Sequence, residues 1–191
     1  MSKTLSILLK SSSPVIVWIK LDYLRLGHTL TNNDILQLVA TTFDFNNRAL
    51  IEIFALADFN VTDEQVTAWL KKEEDKQSLI SLNDPEMSLF LNGFINFKRG
   101  KREGEQAKAQ DHLNNNMVFQ KLRIALNLKT EDILDVFKLV DTDFSKHEIS
   151  AFFRKPGNKH YKDCRDNTLE KFLLGIQCQL RPDESDELIN S

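Results

Sequence analysis

The sequence predicts an all-α protein made of two tandem four-helix repeats, each with a helix-turn-helix-like helix pair, and three observations carry that prediction. The first is internal duplication. Residues 47–72, NRALIEIFALADFNVTDEQVTAWLKK, are answered 83 positions later by residues 130–155, TEDILDVFKLVDTDFSKHEISAFFRK. Phe54, Leu56, Asp58, Ala68 and Lys72 meet Phe137, Leu139, Asp141, Ala151 and Lys155, and most other positions exchange one apolar residue for another. Matched apolar positions at one fixed offset mark a copied structural unit. The second is composition: 6 Gly and 4 Pro in 191 residues leave few places for tight hairpins, while 41% hydrophobic residues with 13 Phe can fill a sizeable interior. The third is periodicity. Met87, Phe90, Leu91, Phe94 and Ile95 fall at i, i+3, i+4, i+7 and i+8, a single apolar stripe on a helix.

Each element of the first copy has a local cause. Asn32 and Asn33 read as caps for a helix whose apolar side is Ile35, Leu36, Val39 and Phe43. Asn46 caps a second helix that turns Leu50, Ile51, Ile53, Phe54 and Ala57 inward. Thr62 with Gln65 spells a capping box and starts a third helix carrying Val66, Trp69 and Leu70, which the charged residues 71–76 end. Asp84-Pro85-Glu86 reads as cap, first-turn proline and dipole-favoured acid for the fourth helix.

Residues 98–112, KRGKREGEQAKAQDH, have alanine as their only apolar type and read as a solvated linker. The second copy then repeats the scheme. Asn114–Asn116 precede Met117, Val118, Leu122, Ala125 and Leu126, and Thr130 caps a helix with Ile133, Leu134, Val136, Phe137 and Val140. Ser145 and Glu148 restate the capping box ahead of Ile149, Phe152 and Phe153, and Asp166 opens the last helix with Leu169, Phe172, Leu173 and Ile176 on one face. Gly93 and Gly175 sit mid-helix in both copies, although glycine costs roughly 1 kcal/mol against alanine there. Close helix approach across the contact between the copies is the expected reason. Asp58 and Asp141 end the second helix of each copy, where a carboxylate opposes the dipole, so they are expected to cap the following turn.

The predicted boundaries are an N-terminal extension over 1–30, the first copy over 31–97, the linker over 98–112, the second copy over 113–181 and an acidic tail over 182–191. The extension carries short apolar runs, Leu5–Leu9 and Val15–Ile19, broken by Lys10, three serines and Pro14. Neither approaches the ~20 apolar residues of a membrane span, and Lys10 splits any signal-peptide core. The extension reads as poorly ordered or as loosely packed through Val15, Ile16, Trp18 and Ile19. Cys164 and Cys178 are separated by a predicted helix that holds them about 20 Å apart, too far for a disulfide, so free thiols in a cytoplasmic protein are expected. The formal net charge of −3 is uneven: residues 31–97 hold four basic and eleven acidic groups, net −7, and residues 113–181 hold twelve and nine, net +3. Opposite signs on the two copies can steer a partner or orient the halves, though drift of solvated positions explains them as well.

With these segments in view, NNDIL, EIFALADFNVTDEQVTAWLKKEED, FLNGFI, NNNMVFQKLRIALNLK and SKHEISAFFRKPGNKHYKDCRDN together resemble the YehS-like family, a bacterial family of small cytosolic proteins classed as a tandem domain of unknown function. The resemblance covers about residues 31–181. Residues 1–30 have no counterpart in it, and Leu38-Val39-Ala40-Thr41 stands where a basic stretch like Lys121-Leu122-Arg123 is usual. It implies an all-helical fold and brings no established activity.

Candidate chemistry concentrates after the third helix of the second copy. RKPGNKHYKDCR sets Arg154, Lys155, Lys159, Lys162 and Arg165 against one acid, Asp163, with His160 and Tyr161 between. Pro156-Gly157 defines a turn whose backbone amides can face an anion. The candidate anion- or partner-binding residues are therefore Arg154, Lys155, Lys159, His160, Lys162 and Arg165; a merely solvated basic loop is the plainer alternative. As a DNA-reading pair, the third helix of the first copy leads with Asp63 and Glu64, which repel phosphate, whereas the second copy offers Lys146, His147 and Ser150. His160 and Cys164 have metal-ligand spacing, with His147 as a third, but a structural zinc site wants four ligands. Cys164 as a nucleophile lacks an oriented base. The reading that results is a non-enzymatic binding or regulatory module engaging a protein or other anionic partner, with a helix-turn-helix-like nucleic-acid binder as the alternative. It calls for no cofactor, no metal and no membrane, and leaves the oligomeric state open.

Overall fold

A computed structural model of the chain describes residues 29–71 and 80–181. The apolar runs of the extension, the charged stretch 72–76 and the acidic tail lie outside the described residues. Within them the secondary structure is eight α-helices and no strand. The first copy holds α1 (Asn32–Phe43), α2 (Asn47–Ala55), α3 (Asp63–Trp69) and α4 (Asp84–Arg99). The second holds α5 (Asn115–Ala125), α6 (Thr130–Lys138), α7 (Lys146–Phe152) and α8 (Asp166–Leu180). None of these helices is long and apolar enough to cross a membrane.

The capping boxes at Thr62/Gln65 and Ser145/Glu148 form as expected, each with reciprocal bonds between side chain and backbone. Three caps shift by one residue. Thr31 caps α1 with Asp34, Asn83 caps α4 with Glu86, and Lys129 stands at the cap of α6, its N–H donating to Asp132 Oδ2 at 2.7 Å. The asparagines read as caps of α1 have other work. Asn33 Nδ2 donates to Trp69 O at 2.9 Å and Ile80 O at 3.0 Å, and its Oδ1 accepts from Leu82 N–H at 2.9 Å. Asn116 repeats this with Phe152 O, Lys162 O and Cys164 N–H at 2.8, 2.8 and 2.9 Å. One amide thus ties the end of the third helix and the segment after it to the first helix in both copies, with the oxygen and nitrogen of that amide both bonded.

Asp58 and Asp141 take left-handed φ of 57° and 50°, matched at the ends of α1 and α5 by Asp44 and Asn127, both at 56°. Aspartate and asparagine tolerate this region better than other non-glycine residues. The recurrence therefore reports a backbone reversal, in place of the expected capping of the next turn.

The copies meet about a pseudo-twofold axis in which the first helix of each packs along the last helix of the other: α1 on α8 and α5 on α4. Both pairs run parallel. At their N-terminal ends Leu113 N–H donates to Asp84 Oδ2 and Leu30 N–H to Asp166 Oδ2, each at 3.0 Å. At their C-terminal ends Arg99 Nη1 donates to Ile124 O at 3.3 Å and Arg181 Nη2 to Thr41 O at 3.0 Å, placing a cation on carbonyls at a helix C-terminus. Parallel neighbours cannot be joined by a short turn, so the chain between α4 and α5 must return the length of α4. Asp84, Ser88, Asn92 and Asn96, four residues apart on one side of α4, hold that return segment. Beside the Asp84 bond, Ser88 Oγ accepts from Gln110 N–H at 3.1 Å, Asn92 Nδ2 donates to Ala107 O at 3.0 Å, and Asn96 Nδ2 to Gln106 Oε1 at 2.7 Å. The stretch read as a solvated linker is fastened to α4.

The glycines act inside each copy. A Cβ built on Gly93 would stand 1.9 Å from Ile53 O, and one on Gly175 would stand 2.4 Å from Val136 O. The close approach is α4 on α2 and α8 on α6, so the expectation of a contact between copies is corrected. The helix face used between copies is the one carrying Asn92, roughly 100° away. The interior is aromatic: Phe54, Phe90, Phe119, Phe137 and Phe172 are fully buried, with Phe119 4.5 Å from Phe172 and Phe54 5.3 Å from Phe90 between ring centres. Trp69 and Phe152, at equivalent positions, are buried as expected of core residues.

Candidate functional site: the basic loop after α7

The segment from Phe153 to Arg165 joins α7 to α8. Its path is set by Asn116 at its far end and by turns within it. Asn158 N–H donates to Lys155 O, Tyr161 N–H to Asn158 O and Lys162 N–H to Ala151 O, while His160 N–H is taken by Asn158 Oδ1 at 2.9 Å. Gly157 has φ 88°, as the reversal after Pro156 requires. The amides of Asn158, His160, Tyr161 and Lys162 are thus bonded inside the loop. What the loop presents outward is side-chain charge.

The six candidate residues divide. Lys155, Lys159, His160 and Arg165 are exposed and Arg154 is half-buried. Among the described residues no carboxylate lies within ion-pair distance of Arg154, Lys155, Lys159 or Arg165. Lys162 is exposed too but already paired: its Nζ donates to Glu148 Oε1 at 3.2 Å and lies over the Phe144 and Phe152 rings, 5.3 and 5.4 Å from their centres. The Ser145 backbone N–H, then Lys162 and the Ser145 hydroxyl, hold the Glu148 carboxyl down to about 2. His160 stands edge-on to His147, 5.7 Å between ring centres, so two imidazoles join the cations on one surface.

Cys164 takes no part in that surface. It is 5% exposed, it occupies the position of Leu82 in the first copy, and burial, helped by Asp166, pushes its thiol up to about 12. A protonated core thiol is neither a nucleophile nor a ready metal ligand. Among the described residues no group of three or more His, Cys, Asp or Glu side chains could hold a metal ion, so His147, His160 and Cys164 are not brought together as ligands. Asp166 serves the contact between copies by accepting from Leu30 N–H, and within its own copy it accepts from Asn115 Nδ2 at 2.6 Å.

The helix pair α6–α7 is joined by residues 139–145, and α7 spans seven residues, about 10 Å. Of its outward residues Lys146 is paired with Glu131 at 2.8 Å, leaving His147 and Ser150 to adjoin the loop. The equivalent outward residues of α3 are Asp63, Glu64 and Thr67, opposite in sign.

Two features escaped the sequence reading. Asn33/Asn116, Asp84/Asp166 and Arg99/Arg181 recur at offsets of 82 or 83, and polar recurrence was the available signal. The other is an aromatic face on the first copy. Phe45 lies 5.6 Å from both Phe43 and Phe97, Phe97 is 43% exposed, and Lys98 Nζ is 4.7 Å above the Phe43 ring. Leu126, Leu128, Gln179 and Leu180 stand there in the second copy.

The fold thus defines an all-helical protein of two duplicated units in which the first helix of each also packs along the last helix of the other about a pseudo-twofold axis. Comparison with known proteins gives the same duplication: the model described as "Protein of unknown function (DUF1456)" matches twice, over residues 32–100 and 115–181. The chain is also 40% identical, over 148 residues, to "Uncharacterized protein YehS" of Escherichia coli (strain K12), covering 77% of this chain and 94% of that protein. The chain belongs to this DUF1456 family. No solved structure matches it significantly.

Proposed function

We propose that the protein is a non-enzymatic binding module that engages an acidic protein segment through Lys155, Lys159, His160 and Arg165, with Arg154 at the edge. The observation that carries the reading is the lack of any carboxylate partner, among the described residues, for the loop's outward cations, while Lys162 and Lys146 beside them are paired. Unpaired cations on a turn fixed by Asn116 and Asn158 keep a constant geometry for an anionic ligand without first breaking an internal ion pair. The two free, buried thiols accord with a reducing compartment such as the bacterial cytoplasm.

The test is binding of fluorescein-labelled polyglutamate by the wild-type chain and by a Lys155→Ala/Lys159→Ala/Arg165→Ala variant. Exposed charge pairs contribute about 0.5–1 kcal/mol each, so the variant loses roughly 10–100-fold in affinity with an unchanged melting midpoint. Equal affinity in both proteins overturns the proposal. The nucleic-acid alternative draws on His147 and Ser150 of α7 beside the loop. It predicts binding of random-sequence duplex or RNA that falls steeply between 50 and 200 mM salt, and no binding at about 50 mM removes it.

A further inference from the structure

We infer that the face each copy presents to the other also fits the complementary copy of a second chain, and that the return segment on α4 holds the pairing within one molecule. Four polar contacts across the interface form two symmetric pairs, Leu113 with Asp84 and Leu30 with Asp166, Arg99 with Ile124 and Arg181 with Thr41, beside which Lys121 Nζ donates to Asn92 Oδ1 across α4–α5 alone. None of them depends on the two copies sharing a chain. If α1–α4 of one molecule paired with α5–α8 of another, all four contacts would form unchanged, in two complete units joined by their connecting segments.

What distinguishes the pairing within one chain is the connection. Because α4 and α5 lie parallel, residues 100–113 must travel from the C-terminal end of α4 back to its start. The 16 residues of α4 span about 24 Å, and an extended chain covers about 3.4 Å per residue, so roughly seven residues are the minimum. The segment has slack, taken up where Gln106 Nε2 donates to Arg102 O and Gly104 O, and it is bonded to Ser88, Asn92 and Asn96 on the way. Those three bonds belong only to the conformation that doubles back. The equivalent positions on α8 are Glu170, Leu174 and Cys178, so this fastening was not duplicated with the interface it guards.

Two variants of the full chain test this by size-exclusion chromatography with light scattering. The wild type is expected to be monomeric; a wild type already dimeric through exchanged halves overturns the role of the segment. Deleting residues 101–110 leaves four connecting residues, about 14 Å of reach, too short to close within one chain. The expected product is a dimer with the wild-type helical content and hydrogen-exchange protection in α1, α4, α5 and α8. A monomer of native helicity, or a chain without helix, overturns the inference. With the connection intact, Ser88→Ala/Asn92→Ala/Asn96→Ala removes the three fastening bonds, and preference for the closed form falls about a hundredfold per chain. A dimer population then appears at concentrations where the wild type has none; identical behaviour of variant and wild type overturns it.

Discussion

Gly93→Ala sets helix propensity against packing, and the structure decides which wins. Propensity alone favours alanine by roughly 1 kcal/mol inside a helix. Against it, the new Cβ would meet Ile53 O at 1.9 Å and Ile53 C at 2.8 Å, where a carbon–oxygen contact normally stands at about 3.3–3.6 Å. The obstacle is backbone and cannot rotate away, so α2 and α4 must part by more than 1 Å. Overpacking of that size costs about 1–3 kcal/mol or more, and parting the helices also loosens the Phe54–Phe90 contact. A second cost is specific to this site. Ala57 N–H donates to Phe54 O, so the Ile53 carbonyl, in the last turn of α2, is left for another donor, and Val140 N–H likewise goes to Phe137 O and frees Val136 O. With a C–C bond of about 1.5 Å, the glycine Cα lies within about 3.4 Å of Ile53 O, the range of a weak C–H···O bond. Alanine removes the hydrogen that points there.

The net expectation for Gly93→Ala is a loss of about 2–4 kcal/mol, which in a chain of this size lowers the thermal midpoint by roughly 5–15 °C. Gly175→Ala should lose less, since its Cβ stands 2.4 Å from Val136 O. Far-UV circular dichroism melts and urea titrations of both variants and the double measure this. A midpoint at or above the wild type's for Gly93→Ala, the outcome of propensity alone, would refute the packing argument.

The duplicated amides make a matched pair of predictions: Asn33→Ala and Asn116→Ala each remove three buried or part-buried bonds and should cost about 2–4 kcal/mol in urea melts, equal within about 1 kcal/mol; a negligible cost for either would show that the segment between the third and fourth helices of that copy is held elsewhere. Cys164, pushed up to about 12 from an ordinary 9.0, should resist alkylation at pH 8 until urea unfolds the chain. Its folded value lies above the unfolded one, so its stabilising share is complete below pH 9 and is lost as pH climbs from 9 toward 12; fast native labelling at pH 8 contradicts this. Glu148, held down to about 2 from 4.5, contributes fully above pH 4.5 and loses that contribution as pH falls toward 2. An NMR titration should find the Glu148 midpoint near 2, and Lys162→Ala should raise it.

Much of the fold was legible because the chain states it twice. Wherever the sequence offered a capping box (Thr62/Gln65, Ser145/Glu148) or an apolar stripe (Met87 to Phe94), local chemistry and final structure agreed. One cause of misreading is that a polar residue near a helix start was assigned to the nearest local task. Asn33 looked like a cap, yet it and its counterpart Asn116 each reach 36 to 49 residues along the chain. The glycines announced a close approach but not its partner, because the sequence does not say which flank of α4 faces α2 and which faces α5. Residues 98–112 looked free because, Gln106 apart, their bonds to α4 join their backbone to side chains of α4, which the segment's own composition cannot reveal. In the candidate loop, the charges were legible and the commitment of Lys162 to Glu148 was not.

Duplication also separates what the fold needs from what it does not. Asn33/Asn116, Asp84/Asp166, Gly93/Gly175, Arg99/Arg181 and the left-handed pairs Asp44/Asn127 and Asp58/Asp141 perform the same bond or backbone reversal in both copies, so packing accounts for them fully. Three described features remain after that subtraction. The fastening on α4 follows from joining the copies in one chain, since only one connection needs it. The aromatic face of Phe43, Phe45 and Phe97 is largely satisfied by its own ring contacts and by Lys98. The loop from Arg154 to Arg165 differs: its turns and its Asn116 anchor are accounted for, but among the described residues the side-chain cations of Lys155, Lys159 and Arg165 have no carboxylate partner. Cations without a carboxylate partner among the described residues, on a turn the fold holds still, are the feature on which the proposed binding role rests.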